Sequence, residues 1–184
     1  MHLSYLLAEE LTNLRNRKGD RELDIVETGS IRGEGENYKA DDGWSTLVFA
    51  EHVKDYGGRF TSIDLDTAAA GRVLTDHKVR SCVELIEGHS IDTLARLLHG
   101  GQRRFDVAFL DSDNDAALIL HEYLIAHLMV RSPGLILVDD VDLDSSGVVK
   151  GHALVPWLDR NGQQYRLLTR TGDGYSTGVL VIEV

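Results

Sequence analysis

Val107-Ala108-Phe109-Leu110-Asp111-Ser112-Asp113 and, one apolar helical stretch later, Leu135-Ile136-Leu137-Val138-Asp139-Asp140 decide the fold of this chain. Each is a short run of apolar residues that closes on acids. Runs without a polar face are what a strand shows when helices cover both sides of its sheet. Working outward, similar runs occur at Leu23-Asp24-Ile25-Val26, Phe60-Thr61-Ser62-Ile63 and Val83-Glu84-Leu85-Ile86. Between the runs, Leu47, Ala50 and Val53, then Ile91, Leu94, Leu97 and Leu98, recur at helical spacing. Strands that alternate with helices predict βαβ units and a parallel sheet. The C-terminal end breaks the alternation. Tyr165–Leu168 and Val179–Val184 flank Gly172-Asp173-Gly174 with no helix between them, which predicts an antiparallel hairpin on the sheet edge. Leu3, Leu6, Leu7, Leu11 and Leu14 form one apolar helix face, expected to pack on the outside of the sheet. The expectation is an α/β, Rossmann-like open sheet of seven strands, mostly parallel, with helices on both faces, as a single domain over 1–184.

The 184 residues suit one core and leave little room for a second. With 30 acidic against 19 basic residues, the net charge of −11 repels phosphate backbones and anionic lipid, so neither nucleic acid nor membrane is an expected partner. The basic clusters Arg15-Asn16-Arg17-Lys18 and Arg103-Arg104 read as solvated helix ends or loops. Cys82 is the only cysteine, which excludes an internal disulfide and makes it a partly buried bystander. Residues 1–14 lack the basic region and long apolar run of a signal peptide, and no stretch approaches the ~20 apolar residues of a membrane span. The expected location is the cytoplasm.

In open α/β sheets, ligands bind beyond the carboxyl ends of the strands, where strand order reverses. Here those ends read Glu27-Thr28-Gly29-Ser30, Asp64-Leu65-Asp66, Glu87-Gly88-His89-Ser90, Asp111-Ser112-Asp113 and Asp139-Asp140. Helix capping explains some of these polar groups but not the whole set. An acid ending the second strand, Asp64, can accept hydrogen bonds from both ribose hydroxyls of a nucleoside; its bland alternative is an N-cap for a helix over 67–76. Gly29 is read as leaving room for a ligand lying against the backbone. The dinucleotide pattern Gly-x-Gly-x-x-Gly is absent after the first strand, since Gly29, Gly33 and Gly35 do not fit it.

These residues together resemble the class I S-adenosylmethionine (SAM)-dependent methyltransferases, in particular the catechol-type, metal-dependent O-methyltransferases. Glu27-Thr28-Gly29-Ser30 followed by Gly43-Trp44-Ser45 is similar to their first SAM motif, and Asp64 matches their acidic ribose ligand. Gly88-His89-Ser90 is similar to their Gly-x-Ser, whose serine lies near the adenine amine. Asp111, Asp139 and Asp140 match their metal ligands. The resemblance runs in order from about residue 23 to 141. It implies cofactor contacts from Glu27, Thr28, Gly29, Ser30, Gly43, Trp44, Ser45, Asp64, Leu65, Gly88, His89, Ser90 and Asp111. Two departures stand out: the polar segment Ile31–Asp41, with Tyr38 and Lys39, is inserted, and Asn114 replaces the family's catalytic lysine. The inserted loop either folds over the ligand or is a surface loop.

Three gathered carboxylates are costly unless a cation neutralises them or some take protons. An oxygen-only set suits Mg²⁺, Ca²⁺ or Mn²⁺. Within a strand Asp139 and Asp140 would point to opposite faces, so both can bind a metal only where the chain turns out of the strand. The expected chemistry is in-line methyl transfer to an oxygen, with Asp111 and Lys150 as candidate catalytic groups and His121 and His152 as further bases. Lys150 more often reads as an exposed loop residue. His121 and His127 read as helix residues, and Trp157 as packing. Three other readings stay open: a metal-independent N-methyltransferase, a nicotinamide-dependent oxidoreductase, and a SAM-binding module without catalysis. A small-molecule acceptor is the expected partner. Since the chain is short of substrate-covering elements, a second subunit supplying a wall, and so a homodimer, is expected.

Overall fold

The computed structural model describes residues 2–35, 44–100, 104–142, 147–169 and 178–184. In chain order the strands are β1 (Leu23–Thr28), β2 (Gly58–Asp64), β3 (Val83–Glu87), β4 (Phe105–Leu110), β5 (Val130–Val141), β6 (Tyr165–Thr169) and β7 (Gly178–Glu183). The helices are α1 (Leu3–Arg17), α2 (Ser45–Tyr56), α3 (Ala68–Asp76), α4 (Ser90–His99), α5 (Ala116–Met129) and α6 (Gly151–Arg160). One seven-stranded sheet has the order β3-β2-β1-β4-β5-β7-β6. The first five strands run parallel, and β7 is antiparallel to both β5 and β6, the hairpin that the C-terminal sequence predicts.

Period-two alternation splits the strand residues between two cores. Ile25, Val107, Phe109, Leu135, Leu137 and Val181 face one side, where α1, α2 and α3 cover them through Leu7, Leu11, Phe49, Ala50 and Leu74. Val26, Ala108, Leu110, Ile136, Val138 and Leu180 face the other, under Leu94 of α4, Ile119 and Tyr123 of α5, and Leu154 and Leu158 of α6. This double coverage accounts for the wholly apolar runs in β4 and β5. Trp157 packs edge-on against Tyr123, and Cys82 is half-buried against the first core, as their sequence contexts predict.

Registers align the carboxyl ends along one edge. Thr28 pairs with Ile63 and Leu110, Asp64 with Glu87, and Leu110 with Val138. The strand order reverses between β1 and β4, so the edge of interest lies over Gly29 and Asp111. No helix among the described residues is long and apolar enough to cross a membrane.

Candidate functional site

At this edge β1 and β4 approach closely. The Asp111 amide donates to the Thr28 carbonyl at 2.8 Å, and Gly29 turns at φ +83°. A Cβ on Gly29 would lie 2.2 Å from the Asp111 carbonyl oxygen. Glycine is therefore required here by the neighbouring strand, and it also lines the cavity beside it.

A cavity of about 130 Å³ opens beside this contact, lined by Gly29, Ile63, Asp64, Leu65, Gly88, His89, Ser90, Ser112, Asp113 and Leu118. The expected residues from the ends of β2 and β3 thus converge. Asp64 accepts from the Ser30 amide at 2.6 Å and the Ser30 hydroxyl at 3.2 Å through Oδ2, and from the Asp66 amide at 3.2 Å through Oδ1. It does not cap α3, whose N-cap position is Thr67; Asp66, one residue before, accepts from the Ala68 amide at 2.8 Å. Leu65 is 70% exposed at the rim, an apolar ledge.

The remaining expected cofactor residues sit behind the cavity. Glu27 is fully buried, taking hydrogen bonds from Ser45 at 2.5 Å and Ser62 at 2.7 Å. Burial, outweighing these serine donors, pushes its carboxyl up to about 8. Thr28 donates to Glu122 at 2.9 Å. The Trp44 ring is buried in the core beside His77, at φ +46° before α2. Glu27, Thr28, Trp44 and Ser45 are not among the residues lining the cavity, and on this geometry they shape it from behind. Gly43 lies outside the described residues, as do Tyr38 and Lys39 of the inserted loop.

The second half of the site lies at the tips of β4 and β5. Asp111, Asp139 and Asp140 each offer an oxygen within 4.8 Å of the others. The alternation problem is solved by an irregularity: the β5–β7 register shifts between Val138 and Val141, and Asp140 adopts φ +54°. A bulge of this kind re-aims side chains at a sheet edge. The left-handed backbone costs about 1 kcal/mol or more at a non-glycine residue, a strain characteristic of functional sites. Three oxygen donors so placed fit a divalent cation such as Mg²⁺, Mn²⁺ or Ca²⁺.

Lys150 occupies part of this cluster. Its ammonium is ion-paired to Asp111 Oδ1 and lies 3.9 Å from Asp140 Oδ2, and the residue is 4% exposed. The expectation of an exposed loop lysine is corrected: the residue is buried where α6 begins. Burial alone would lower its pKa, but Asp111, then Asp140 and Asp139, outweigh burial and raise it, keeping the side chain a cation. Asn114, standing where the resemblance places a lysine, explains the position. Its Nδ2 donates to the Gly147 carbonyl and its Oδ1 accepts from the Val149 amide, both at 2.8 Å, clamping the segment that delivers Lys150. Asp115 caps α5 through the Ala117 and Leu118 amides, which leaves Asp111 free of any capping duty.

Several contributors were not among the expected site residues. Ile63, Ser112, Asp113 and Leu118 line the cavity, and Glu122 is a fully buried acid on the same helix as Leu118. The available signal for Glu122 was a lone acid, beside His121, inside the largely apolar run Leu118–Ile125.

A family model described as a methyltransferase domain matches residues 40–141. Among solved structures, the O-methyltransferase from Bacillus cereus, in complex with SAH, aligns with a TM-score of 0.69 and 16% identity, covering 93% of this chain and 78% of that one. The O-methyltransferase TomG from Streptomyces achromogenes, involved in tomaymycin synthesis and in complex with SAM, aligns at 0.68 and 19%, covering 92% and 77%. These likenesses show a shared fold. No curated protein sequence matches the chain.

Proposed function

Because the chain belongs to the methyltransferase-domain family, whose model spans more than half of it, we propose that it transfers the methyl group of SAM to an oxygen of a small molecule, with divalent-metal assistance. The observation that carries this reading is the continuity of two sites along β4. Ser112 and Asp113 line the cavity, and the preceding Asp111 belongs to the carboxylate cluster.

Asp64 would hold the ribose hydroxyls, and Leu65 and Gly88–Ser90 would border the nucleoside. Bound SAM supplies an electrophilic sulfonium methyl; a cation on Asp111, Asp139 and Asp140 supplies Lewis acidity that lowers the pKa of an acceptor hydroxyl. The chain's own contribution is to hold acceptor and donor in line. Lys150, as a cation, stabilises the acceptor oxyanion instead of removing its proton. The acceptor's proton would pass to bulk water, and Asp111, ion-paired with Lys150, would hold that lysine at the cluster. A second reading, transfer without metal to oxygen or nitrogen, is favoured by the same lysine, since it already supplies one positive charge to the three acids.

Cytoplasmic location and a homodimer completing the acceptor wall belong to this proposal; the single cysteine supports the former. The test is methyl transfer from labelled SAM to a panel of catechols, phenols and amines, with Mg²⁺ or with EDTA. Oxygen-methylated product lost in EDTA is the expected result. Product that persists in EDTA selects the metal-independent reading, and no transfer to any acceptor returns the chain to a SAM-binding module.

A further inference from the structure

Over the second core, α5 is the middle helix of three, packed between α4 and α6. A helix so placed buries one face and shows the other to solvent, and its outer positions are ordinarily polar. In α5 they are not. Ala116–Met129 is apolar or aromatic except at His121, Glu122 and His127, and Glu122, the only Asp, Glu, Lys or Arg in the helix, is 0% exposed. Ala117, Leu120, His121, Leu124 and Leu128 face outward at helical spacing. Leu120 and Leu124 are half-buried, and Leu128 is 57% exposed. Leu97 and Leu98 of α4 and Trp157 of α6, also half-buried, flank the stripe. A chain with 27% charged residues and a net charge of −11 thus keeps one helix face uncharged. Apolar faces of this kind mark association surfaces. The two ends of the stripe carry opposite charge. Asp113 and Asp115 are exposed at the N-terminal end. At the C-terminal end the exposed Arg104 donates from Nη1 to the Leu128 carbonyl at 2.7 Å.

We propose that two copies of this chain meet at this face, α5 against α5, antiparallel about a two-fold axis level with Glu122. A two-fold contact pairs one surface with itself, so the stripe must complement its own reverse. It does. Leu120 meets the partner's Leu124, and the small Ala116 and Ala117 make room for the partner's Leu128. The acidic end comes level with the partner's Arg104, whereas a parallel pair would set acid against acid. Copies of like net charge repel, and the uncharged stripe is where that repulsion is weakest. A stable contact takes about 800 Å² per partner, more than one helix stripe, so the flanking leucines and Trp157 belong to it. Asp113 also lines the cavity, and the partner therefore stands at the cavity rim. This gives the homodimer proposed above its surface, and it holds whatever ligand the cavity takes.

The experiment is sedimentation velocity on the full chain without ligand, wild type and Leu128→Glu, with thermal melts to establish folding. Wild type is expected at twice the chain mass of 20.4 kDa. Leu128→Glu, which places a carboxylate in the stripe of both copies, should raise the dissociation constant at least about tenfold. Single cysteines in a Cys82→Ser background read the orientation under mild oxidation. His121→Cys lies beside the axis and should link two chains. Leu128→Cys lies about 9 Å along each helix from the axis, beyond the reach of a disulfide to its copy. Should Leu128→Glu fail to fold, the two cysteine variants decide. Wild type that stays monomeric at about 100 μM, a folded Leu128→Glu that dimerises as tightly, or a His121→Cys link no stronger than that of Leu128→Cys overturns the proposal. Each of these leaves the cofactor reading intact.

Discussion

Two residues of this site make opposite demands on their surroundings. Gly29 has no tolerance for a side chain: Gly29→Ala drives a Cβ into the Asp111 carbonyl at a positive φ, and a loss of about 2–4 kcal/mol is expected in urea denaturation. A loss below about 0.5 kcal/mol would show that β4 yields at no cost. Glu27 instead carries a pH signature. Its folded pKa, raised to about 8, lies above its ordinary 4.5, so the stability it contributes is present below 4.5 and lost as pH rises toward 8. His52 is shifted the other way, down to about 4 by burial and then by Arg15, and acts only below 6.5. Between pH 6.5 and 8 the Glu27 effect therefore stands alone of the two. Stability should fall by up to about 1.4 kcal/mol per pH unit, and Glu27→Gln should flatten that slope in urea melts run across the window. At this scale the sequence was informative about placement: Asp64 lines the cavity, and Asp111, Asp139 and Asp140 gather in one cluster. Packing constrains two of the expected residues as well: Gly29 meets the Asp111 carbonyl while lining the cavity, and Trp44 is buried in the core. Alternation along one chain does not say which backbone will approach a given residue from another strand.

Elements were more legible than residues. The period-two and helical patterns placed all seven strands and the order of chemistry along the edge, because burial on both faces leaves a strong signal in β4 and β5. The bulge at Asp139-Asp140 was foreseeable only as a requirement, since strand irregularities depend on the partner β7. The start of α6 was not foreseeable. Lys150 reads as a loop residue, and only the Asn114 clamp, acting across 35 positions, brings it to Asp111. Asn114→Ala should therefore free the 147–149 segment and lower kcat by about ten- to a hundredfold, the cost of a misplaced catalytic group. The dissociation constant for S-adenosylhomocysteine should stay within about threefold, because Asn114 does not line the cavity. Equal kcat in the variant would remove Lys150's placement from the explanation.

At the scale of the molecule, the strand order reverses where the cavity and the carboxylate cluster meet, so cofactor binding should stabilise the fold as a whole. S-adenosylhomocysteine at a hundred times its dissociation constant adds about 2.7 kcal/mol by mass action, an expected rise of about 5–10 °C in melting midpoint for a chain of this size. The most direct measurement is calorimetric titration of S-adenosylhomocysteine into wild type and Asp64→Ala. One site per chain in wild type, weakened at least about tenfold by the substitution, is the predicted result. Absence of binding to wild type, or an Asp64→Ala variant that binds as tightly, would contradict the assignment of this cavity to the methyl donor.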